Sequence, residues 1–396
     1  MKIGIYVGSS GSAVGGADLS AAVLAGAMAP LHQVSIMHHD PAITKQQLSE
    51  FAGVDLAQAH LQFVERKREP FGHSKSPWGR YREARDWSSE LSAPYDLFIN
   101  FTHLMPAFCQ APRGILVVLF PWFDRHAVWP FNNNGSKAGF LRNRLLQTYY
   151  DWEWQKRFST YQYKVAISDY TKKWTKQWWE IDSEVIYPPI DTHAAPCKKK
   201  NDLILSVGRF TTDGHGKKQL EMVRSFNEIS ARMPGWNYCC VGGLSSKDED
   251  RVYLETVRRA SSTCAVRVDT NLNRGVLDEL YGEAKIFWHA AGHGEDEKSH
   301  PELQEHFGMT TVEAMAAGCV PVVVDRGGQP EIVEHGISGF VWTTLDELKK
   351  YTLRLVYDEP LRTRMAEAAR QRSRLFSKEN FVQNFLRLIT VLFPHG

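Results

Sequence analysis

The sequence predicts an α/β protein with two doubly wound parallel-sheet domains. Its 396 residues are too many for one compact core, and two domains of about 150–200 residues are the usual solution for this length. Apolar runs that suit buried strands alternate with helical segments in both halves of the chain. A proline- and lysine-rich break at residues 187–202 separates the two series, as is typical of a domain boundary.

In the first half, the run at residues 115–120 is apolar throughout, as expected of a parallel strand that is covered on both faces. The segment 17–28, which is rich in small residues, predicts a helix. The full set of strands predicted for this half is 3–7, 34–38, 97–101, 115–120 and 164–168.

The pattern restarts after the break, with strands predicted at 203–207, 236–241, 265–268, 286–289 and 320–324 and helices at 219–233, 276–283, 310–317 and 329–335. Ser377 is expected to cap a last helix at 378–391 that returns to the first domain. We therefore assign residues 1–190, with a crossover helix at about 377–396, to an N-terminal domain. Residues 191–376 form the C-terminal domain.

Composition excludes several classes of protein. The net charge of +2 is not that of a globally basic nucleic-acid binder. The chain has no apolar run of 18 residues that would predict a membrane span, and Met1 leads directly into a strand rather than a signal peptide. The six cysteines form no CxxC pair, which favours reduced thiols in a cytoplasmic protein.

The strongest functional signal lies at residues 305–321. Gly308 allows a tight turn before a helix, and the free amide groups of such a helix start bind anions. Glu305 precedes the helix, and Glu313 lies about one turn into it. Two carboxylates on either side of a phosphate site suit a ligand with phosphates in its middle and hydroxyl groups at both ends.

This run resembles the Glu-x7-Glu motif of glycosyltransferase family 4, the glycosyl transferases group 1, which are retaining enzymes with the GT-B fold. The resemblance implies two Rossmann-like domains that face each other across a cleft. It implies that Glu305 contacts the donor sugar and Glu313 the ribose, with phosphates held by amides of Gly308, Met309 and Thr310. The stretch 325–340 is similar to the family's continuation.

A second match follows the strand at 203–207. The family has an arginine after this strand and then a lysine that opens a helix, and Arg209 and Lys217 match these positions. The resemblance implies that both cations stabilise the leaving diphosphate, so that no metal ion is required. The polar segment at 211–216 leaves the neighbouring Lys218 as the alternative lysine.

Further donor contacts are implied on both domains. The family's base pocket falls at residues 271–277, which places Asn273 and Leu277 near the base, although Leu277 is equally suited to a hydrophobic core. The glycine-rich loop at 8–18 resembles the family's Gly-Gly loop, whose backbone approaches the donor phosphate at Gly15 and Gly16.

The ends of two first-domain strands supply further candidates. His103 matches a family histidine near the donor sugar, or else is a buried structural histidine. Asp124 and His126 are candidates for acceptor binding, or else, with Arg125, for a structural ion pair. The histidines and carboxylates at 289–306 match no standard zinc spacing, so we expect no metal site.

The resemblance implies a retaining glycosyltransferase that moves a sugar from a nucleotide-diphosphate donor to a glycan, lipid-linked or small-molecule acceptor, with no cofactor. The alternatives are a nucleotide-sugar epimerase of the same fold and a non-catalytic protein that binds sugar nucleotides. A dinucleotide oxidoreductase is disfavoured because the glycines at 8–15 lack the Gly-x-Gly-x-x-Gly spacing.

The sequence carries fewer signals for the acceptor than for the donor. Basic residues outnumber acidic ones nine to three between Lys137 and Lys176, and five tryptophans occur nearby. One interpretation is a peripheral platform on the inner face of the cytoplasmic membrane. The favoured alternative is that the tryptophans pack a core and the charges are solvated. The tryptophans are Trp152, Trp154, Trp174, Trp178 and Trp179.

Overall fold

The computed structural model describes residues 1–8, 14–65, 76–124, 137–193, 199–212, 216–261 and 265–394, and residues 137–143 by their backbone alone. The chain forms two compact units, one of Met1–Tyr187 with Phe381–Gly396 and one of Pro188–Asn380. The ranges predicted from the sequence, 1–190 with 377–396 and 191–376, differ from these limits by a few residues.

The first unit is built on a parallel sheet in the order β3-β2-β1-β4-β5-β6-β7. Its strands are β1 (Lys2–Val7), β2 (Gln33–His38), β3 (His60–Phe63), β4 (Leu97–Thr102), β5 (Arg113–Val118), β6 (Tyr163–Ala166) and β7 (Glu184–Val185). Its helices are α1 (Gly16–Met28), α2 (Lys45–Ala52), α3 (Pro77–Ser92), α4 (Lys137–Ser159) and α5 (Asp169–Trp179).

Most of the first unit's tryptophan cluster belongs to the hydrophobic core. Trp154, Trp174 and Trp179 are buried, and the Trp154 indole N–H donates to the Trp179 carbonyl at 3.2 Å. Trp152 is 42 % exposed, and its ring lies 5.8 Å from that of Trp78. The core-packing interpretation is therefore confirmed for three tryptophans, while Trp152 lies at the surface.

The second unit contains a parallel sheet in the order β10-β9-β8-β11-β12-β13. The strands are β8 (Asn201–Val207), β9 (Asn237–Gly242), β10 (Val266–Thr270), β11 (Ala284–His289), β12 (Val320–Val324) and β13 (Phe340–Trp342). The helices are α6 (Gln219–Ile229), α7 (Asp248–Ser261), α8 (Arg274–Glu283), α9 (Met309–Ala316), α10 (Gln329–Ile332), α11 (Leu345–Tyr357) and α12 (Glu359–Ser373). The last helix, α13 (Lys378–Leu392), belongs mostly to the first unit.

Two predicted helices were too long. The helix predicted at 219–233 ends at Ile229 and continues as a 3-10 turn, Ser230–Arg232. The helix predicted at 329–335 ends at Ile332, because Val333 is extended and Gly336 takes a positive φ of 80°. Both errors lie at helix ends, where local geometry rather than apolar periodicity decides the boundary.

Helix α13 contains residues of both units. Ser377 caps it, since its Oγ accepts the Asn380 N–H at 3.2 Å, as the sequence predicted. At the other end, the Arg113 guanidinium donates to the Leu392 carbonyl at 3.2 Å, which holds the end of the helix on the first unit. Among the described residues, no helix has the length and apolarity needed to cross a membrane.

The ends of β8 and β9 approach each other unusually closely. The Gly208 N–H donates to the Val241 carbonyl, and the Phe210 N–H to the Gly243 carbonyl, both at 2.9 Å. A Cβ atom at Gly242 would lie 2.0 Å from the Gly208 carbonyl oxygen, whereas at Gly243 the nearest atom, Arg209 Cγ, would be 3.6 Å away. Only the first of these two adjacent glycines is required by packing.

We therefore expect Gly242→Ala to destabilise the second unit by about 1–3 kcal/mol or more, as overpacking of a dense interior does. Gly243→Ala is the matched control and should change stability by less than about 0.5 kcal/mol, because a Cβ there makes only ordinary van der Waals contacts at an exposed position. Urea unfolding of both variants measures the difference. Equal stabilities would contradict the close approach of β8 and β9.

Candidate active site

The candidate site lies at the carboxyl edge of the second unit's sheet. Strand β8 lies between β9 and β11, so the chain builds the sheet outward on one side of β8 and then on the other. Ligands of open parallel sheets bind at such a switch point. Arg209 follows β8, and Glu305 and Gly308 lie in the segment between β11 and α9, so these predicted residues belong to one edge.

Glu305 is held by two side chains from different parts of the sheet. Lys217 Nζ donates to Glu305 Oε2 at 2.5 Å, and His289 Nε2 lies 2.9 Å from the same oxygen. The side chains of Lys217 and Glu305 are only 18 % and 15 % exposed. A carboxylate that is withdrawn from water is costly unless it is paired, and these two donors supply the pairing.

His289 is a site residue that the sequence analysis did not identify. It ends β11, and burial lowers the pKa of its imidazole, although the hydrogen bond with Glu305 acts in the opposite direction. The charge on Lys217 adds to the lowering. The imidazole is therefore neutral at neutral pH. The only signal in the sequence is a histidine at the carboxyl end of a predicted strand, within the group of histidines and carboxylates that matches no zinc spacing.

The absence of a side chain at Gly208 gives Lys217 its path to Glu305. A Cβ atom at 208 would lie 2.5 Å from Lys217 Cγ, so the lysine stem occupies that space. The neighbouring Lys218 has a positive φ of 56° at the start of α6 and pairs with Glu295. Of the two lysines considered from the sequence, Lys217 is the one that contacts Glu305.

The first turn of α9 presents amide groups to the same edge. Thr311 and Val312 both donate to the Gly308 carbonyl, at 3.0 and 3.3 Å. Within the described ranges, the Met309 and Thr310 amides have no hydrogen-bond partner. Such amides at a helix start, together with the helix dipole, attract an anion. The predicted phosphate-binding residues thus have a geometry that suits this role.

Gly308 is required for two reasons. Its φ is +119°, which a residue with a side chain rarely adopts. A Cβ atom there would also lie 2.4 Å from Gln329 Nε2. Gln329 is fully buried, and its Oε1 accepts a hydrogen bond from the Thr311 hydroxyl at 2.9 Å, so it cannot move aside cheaply.

The glycine pair after β12 fixes the backbone at Glu305. The Gly328 N–H donates to the Glu305 carbonyl at 2.7 Å. Gly327 has a φ of +59°, and a Cβ there would lie 2.1 Å from the same carbonyl oxygen. The Asp-Arg-Gly-Gly stretch that resembles the family therefore positions Glu305 through the main chain.

Glu313 is engaged through both carboxylate oxygens. Arg274 Nη1 donates to Oε1 at 2.7 Å and the Tyr281 hydroxyl to Oε2 at 2.9 Å. Burial alone would lower the pKa of Arg274, but Glu313 overcomes this effect and raises it. Burial, reinforced by Glu313, raises the pKa of Tyr281 well above its ordinary value. Sequence reasoning missed Arg274 and Tyr281, although Arg274 directly follows the predicted base-pocket residue Asn273.

The two predicted base-pocket residues differ in their surroundings. Asn273 is exposed and caps α8, because its side chain accepts the Val276 N–H at 3.0 Å. Leu277 is half-buried and packs against the hydrophobic cluster that contains Leu280 and Tyr281. Leu277 therefore has a core role in this structure, and only Asn273 stands open to solvent.

Arg209 is exposed at the end of β8, and no described side chain forms a hydrogen bond with its guanidinium. Its carbonyl and that of Gly208 each accept a hydrogen bond from Gln219 Nε2 at 3.0 Å, which fixes the backbone at this position. Its charge is therefore open to a ligand, in contrast to that of Lys217.

In the first unit, the glycine loop is stabilised from within. Gly15 is the N-cap of α1, and its N–H donates to Asp18 Oδ2 at 2.8 Å. Asp18 Oδ1 lies 3.1 Å from Nε2 of the buried His38. The Gly15 amide is therefore occupied, and Gly16 begins the helix.

The other first-unit candidates follow β4 and β5. His103 comes directly after β4, and its ring lies 5.6 Å from that of Trp122 in an edge-on arrangement. Asp124 is half-buried. His126 and Arg125 lie outside the described residues, as do residues 9–13 of the glycine-rich loop.

The acidic and histidine-rich loop at 290–304 runs between β11 and α9. Its Glu295 is tied to Lys218, as noted above, and Gly292 has a φ of +87° with Gln304 packed against it. Within the ranges that the structure describes, no three His, Cys, Asp or Glu side chains group in a way that could hold a metal ion.

Curated relatives match about half of the chain. An enzyme of Dictyostelium discoideum named GDP-Man:Man(3)GlcNAc(2)-PP-Dol alpha-1,2-mannosyltransferase is 27 % identical over 236 residues, which are 55 % of this chain and 44 % of the relative. The human enzyme of the same name is 25 % identical over 234 residues, 54 % and 45 % of the two chains. The chain therefore spans less than half the length of these relatives.

Comparison with solved structures covers the whole chain. A glycosyltransferase from Rickettsia africae superposes with a TM-score of 0.70 at 15 % identity, over 100 % of this chain and 99 % of the other. This likeness confirms the predicted GT-B type fold of two Rossmann-like domains. Residues 191–372 match the family model described as Glycosyl transferases group 1. This match confirms the family resemblance that the motifs of the second unit predicted.

Proposed function

We propose that this protein is a retaining, metal-independent glycosyltransferase that uses a nucleotide-diphosphate sugar. The observation that carries the proposal is the Glu305–Lys217 ion pair beside the open amide groups of α9. One sheet edge thus offers a carboxylate, a cation and an anion-binding helix start, which are the groups that a sugar diphosphate needs.

The amides of Met309 and Thr310 and the charge of Arg209 suit the diphosphate. Breaking the bond between the sugar and the phosphate leaves additional negative charge on the leaving group. Fixed donors that stabilise such charge lower the barrier, and each is typically worth several kcal/mol. Lys217 reaches the same leaving group when it exchanges Glu305 for phosphate, so the chain's own cations take the place of a metal ion.

Glu313 suits the ribose. Its carboxylate has strong acceptor oxygens, and ribose hydroxyl groups are donors. Since both oxygens already accept hydrogen bonds from Arg274 and Tyr281, ribose binding requires either a shared oxygen or a displaced Arg274. Arg274 is 46 % exposed and can move, whereas Tyr281 is buried.

The resemblance to retaining enzymes supports retention, and the state of Glu305 bears on which retaining mechanism applies. A double-displacement mechanism needs a free nucleophilic carboxylate, and a carboxylate oxygen that accepts from both Lys217 and His289 is a poor nucleophile. Attack on the same face, with the leaving phosphate taking the acceptor's proton, needs no such nucleophile. NMR coupling of the product's anomeric proton should report the donor's configuration, and an inverted product would contradict this mechanism.

The acceptor is proposed to be a glycan or lipid-linked saccharide. The names of the curated relatives include both a GDP-linked mannose and a lipid-linked oligosaccharide. GDP-mannose is therefore the first candidate donor, and a lipid-linked oligosaccharide is the first candidate acceptor. An epimerase would convert a nucleotide sugar without an acceptor, and a non-catalytic protein would bind it unchanged. Product analysis separates the three functions.

Turnover of a nucleotide-sugar panel, headed by GDP-mannose, tests the donor site. We expect one donor to be consumed in the presence of EDTA, and both Glu305→Gln and Lys217→Ala to lower kcat by about 100- to 1,000-fold, as the loss of one preorganised charge does. Lys218→Ala is the matched control, because Lys218 pairs with Glu295, and it should keep most of the activity.

Loss of activity with EDTA would refute metal independence. Equal losses in the Lys217 and Lys218 variants would refute the role of Lys217. If neither a nucleotide sugar nor a nucleoside diphosphate binds, the transferase proposal fails. Conversion of a nucleotide sugar without any acceptor would favour the epimerase.

A lipid-linked acceptor is anchored in a membrane, so we propose that the first unit contacts the membrane surface. Trp78 is 64 % exposed and lies beside the exposed Trp152, and Arg82 and Arg85 line the adjacent groove of about 400 Å³. Exposed indole rings with neighbouring arginines are typical of proteins that bind a lipid headgroup region.

We therefore expect the protein to sediment with vesicles that contain phosphatidylserine. Trp78→Ser with Trp152→Ser should weaken this binding several-fold, because both rings leave the headgroup region. Leu31→Ser, a change at another exposed apolar residue of the same unit, serves as the control. Unchanged sedimentation of the double variant would contradict membrane contact at this surface.

A further inference from the structure

We propose that His289 is a positioning residue that retains the Glu305 carboxylate in place while Lys217 exchanges to the donor's diphosphate. This inference rests on the proposed function of the same site. It concerns a residue that touches neither phosphate nor sugar in the proposed reaction and acts only through Glu305.

The location of His289 suits this role. It is the last residue of β11, and its backbone pairs in register with Val323 of β12. Its side chain is 3 % exposed, so the surrounding sheet and loops restrict its rotamer. A donor held on a rigid strand keeps its position when a neighbouring loop or ligand moves.

The hydrogen bond fixes the tautomer of His289. Lys217 at 2.5 Å favours the ionised form of Glu305, and an ionised carboxylate can only accept hydrogen bonds. His289 Nε2 therefore carries the proton that Glu305 accepts. In the neutral imidazole Nδ1 has no proton, and this atom is buried with no hydrogen-bond partner within the described part of the chain.

A neutral donor and a charged donor on one oxygen serve different purposes. Lys217 is a flexible ammonium group that a diphosphate, with more negative charge than Glu305, can attract away. The departure of Lys217 would leave the carboxylate without its cation in a poorly hydrated place, which is costly. The His289 N–H remains and offsets part of that loss, so Glu305 stays oriented toward the sugar.

The neutrality of His289 also matters. A second cation on Glu305 would compete with Lys217 for the carboxylate. It would also leave a positive charge beside Glu305 after Lys217 had moved to the diphosphate. Because the imidazole is uncharged, it orients the carboxylate through one hydrogen bond and leaves the charge balance between Lys217, Glu305 and the diphosphate unchanged.

Steady-state kinetics on the 396-residue chain tests the role. His289→Leu removes the N–H and should lower kcat by about 10- to 100-fold, the scale of a lost hydrogen bond to a charged group. The affinity for GDP, which lacks the donor sugar, should change by less than about threefold. His289→Gln restores an N–H donor on a side chain of similar reach and should recover most of the lost kcat.

Two results would overturn the proposal. A kcat within twofold of wild type for His289→Leu would show that the hydrogen bond is not needed. Equal losses in the Leu and Gln variants, with both folded by circular dichroism, would show that His289 only fills space.

Nitrogen-15 NMR of histidine-labelled protein without donor provides a readout that does not depend on turnover. The resonances absent from the His289→Gln spectrum belong to His289, and they should report a neutral imidazole protonated at Nε2. In Glu305→Ala the Nε2 resonance should shift, because its acceptor is gone. An imidazolium or an Nδ1–H tautomer in the wild-type protein would overturn the inference.

The two measurements also separate this inference from the proposed function. If the wild-type protein turns over no nucleotide sugar, the transferase proposal fails and the tautomer alone decides whether His289 holds Glu305. If turnover occurs but the kinetic or NMR results disagree with the expectations above, the inference about His289 fails and the transferase proposal stands.

Discussion

The ion pair between Glu305 and Lys217 imposes a constraint on much of the second unit. A carboxylate that is only 15 % exposed must find its donors inside the protein. One donor reaches it from the chain that follows β8, across the bare backbone of Gly208, and the other from the end of β11. Its own backbone is fixed from a third direction by Gly328. The switch point of the sheet is where these segments can converge.

The sequence predicted the central strands well and the periphery poorly. Strands such as Val320–Val324 are buried along their whole length, so they appear as apolar runs. The strand His60–Phe63 is mostly exposed at the sheet edge, and the helix Asp248–Ser261 is strongly charged. Neither has an apolar pattern that sets it apart from a loop, so neither was predicted.

The site was predictable where its residues are close in sequence. Glu305 and Glu313 lie on either side of one helix start, and their spacing carries the signal. His289, Arg274 and Tyr281 reach these carboxylates through contacts that the tertiary fold creates, over separations of 16, 39 and 32 residues. A motif records which residues are near in the chain, and it cannot record which distant side chain completes a hydrogen bond.

Both carboxylates of the motif are already paired within the protein, while the amides of α9 and the Arg209 charge are open. A diphosphate can therefore add to the amides and to Arg209 without displacing any group. In the proposed reaction, by contrast, the sugar reaches Glu305 as Lys217 moves to the diphosphate, and the ribose reaches Glu313 either at a shared oxygen or in place of Arg274. Binding that replaces an internal partner yields less net free energy than binding to an open group, because each new contact replaces an old one. Discrimination between ligands at Glu305 and Glu313 then depends on how well each ligand replaces the internal partner. The favoured ligand is one whose hydroxyl groups donate to the oxygens that Lys217 and Arg274 vacate.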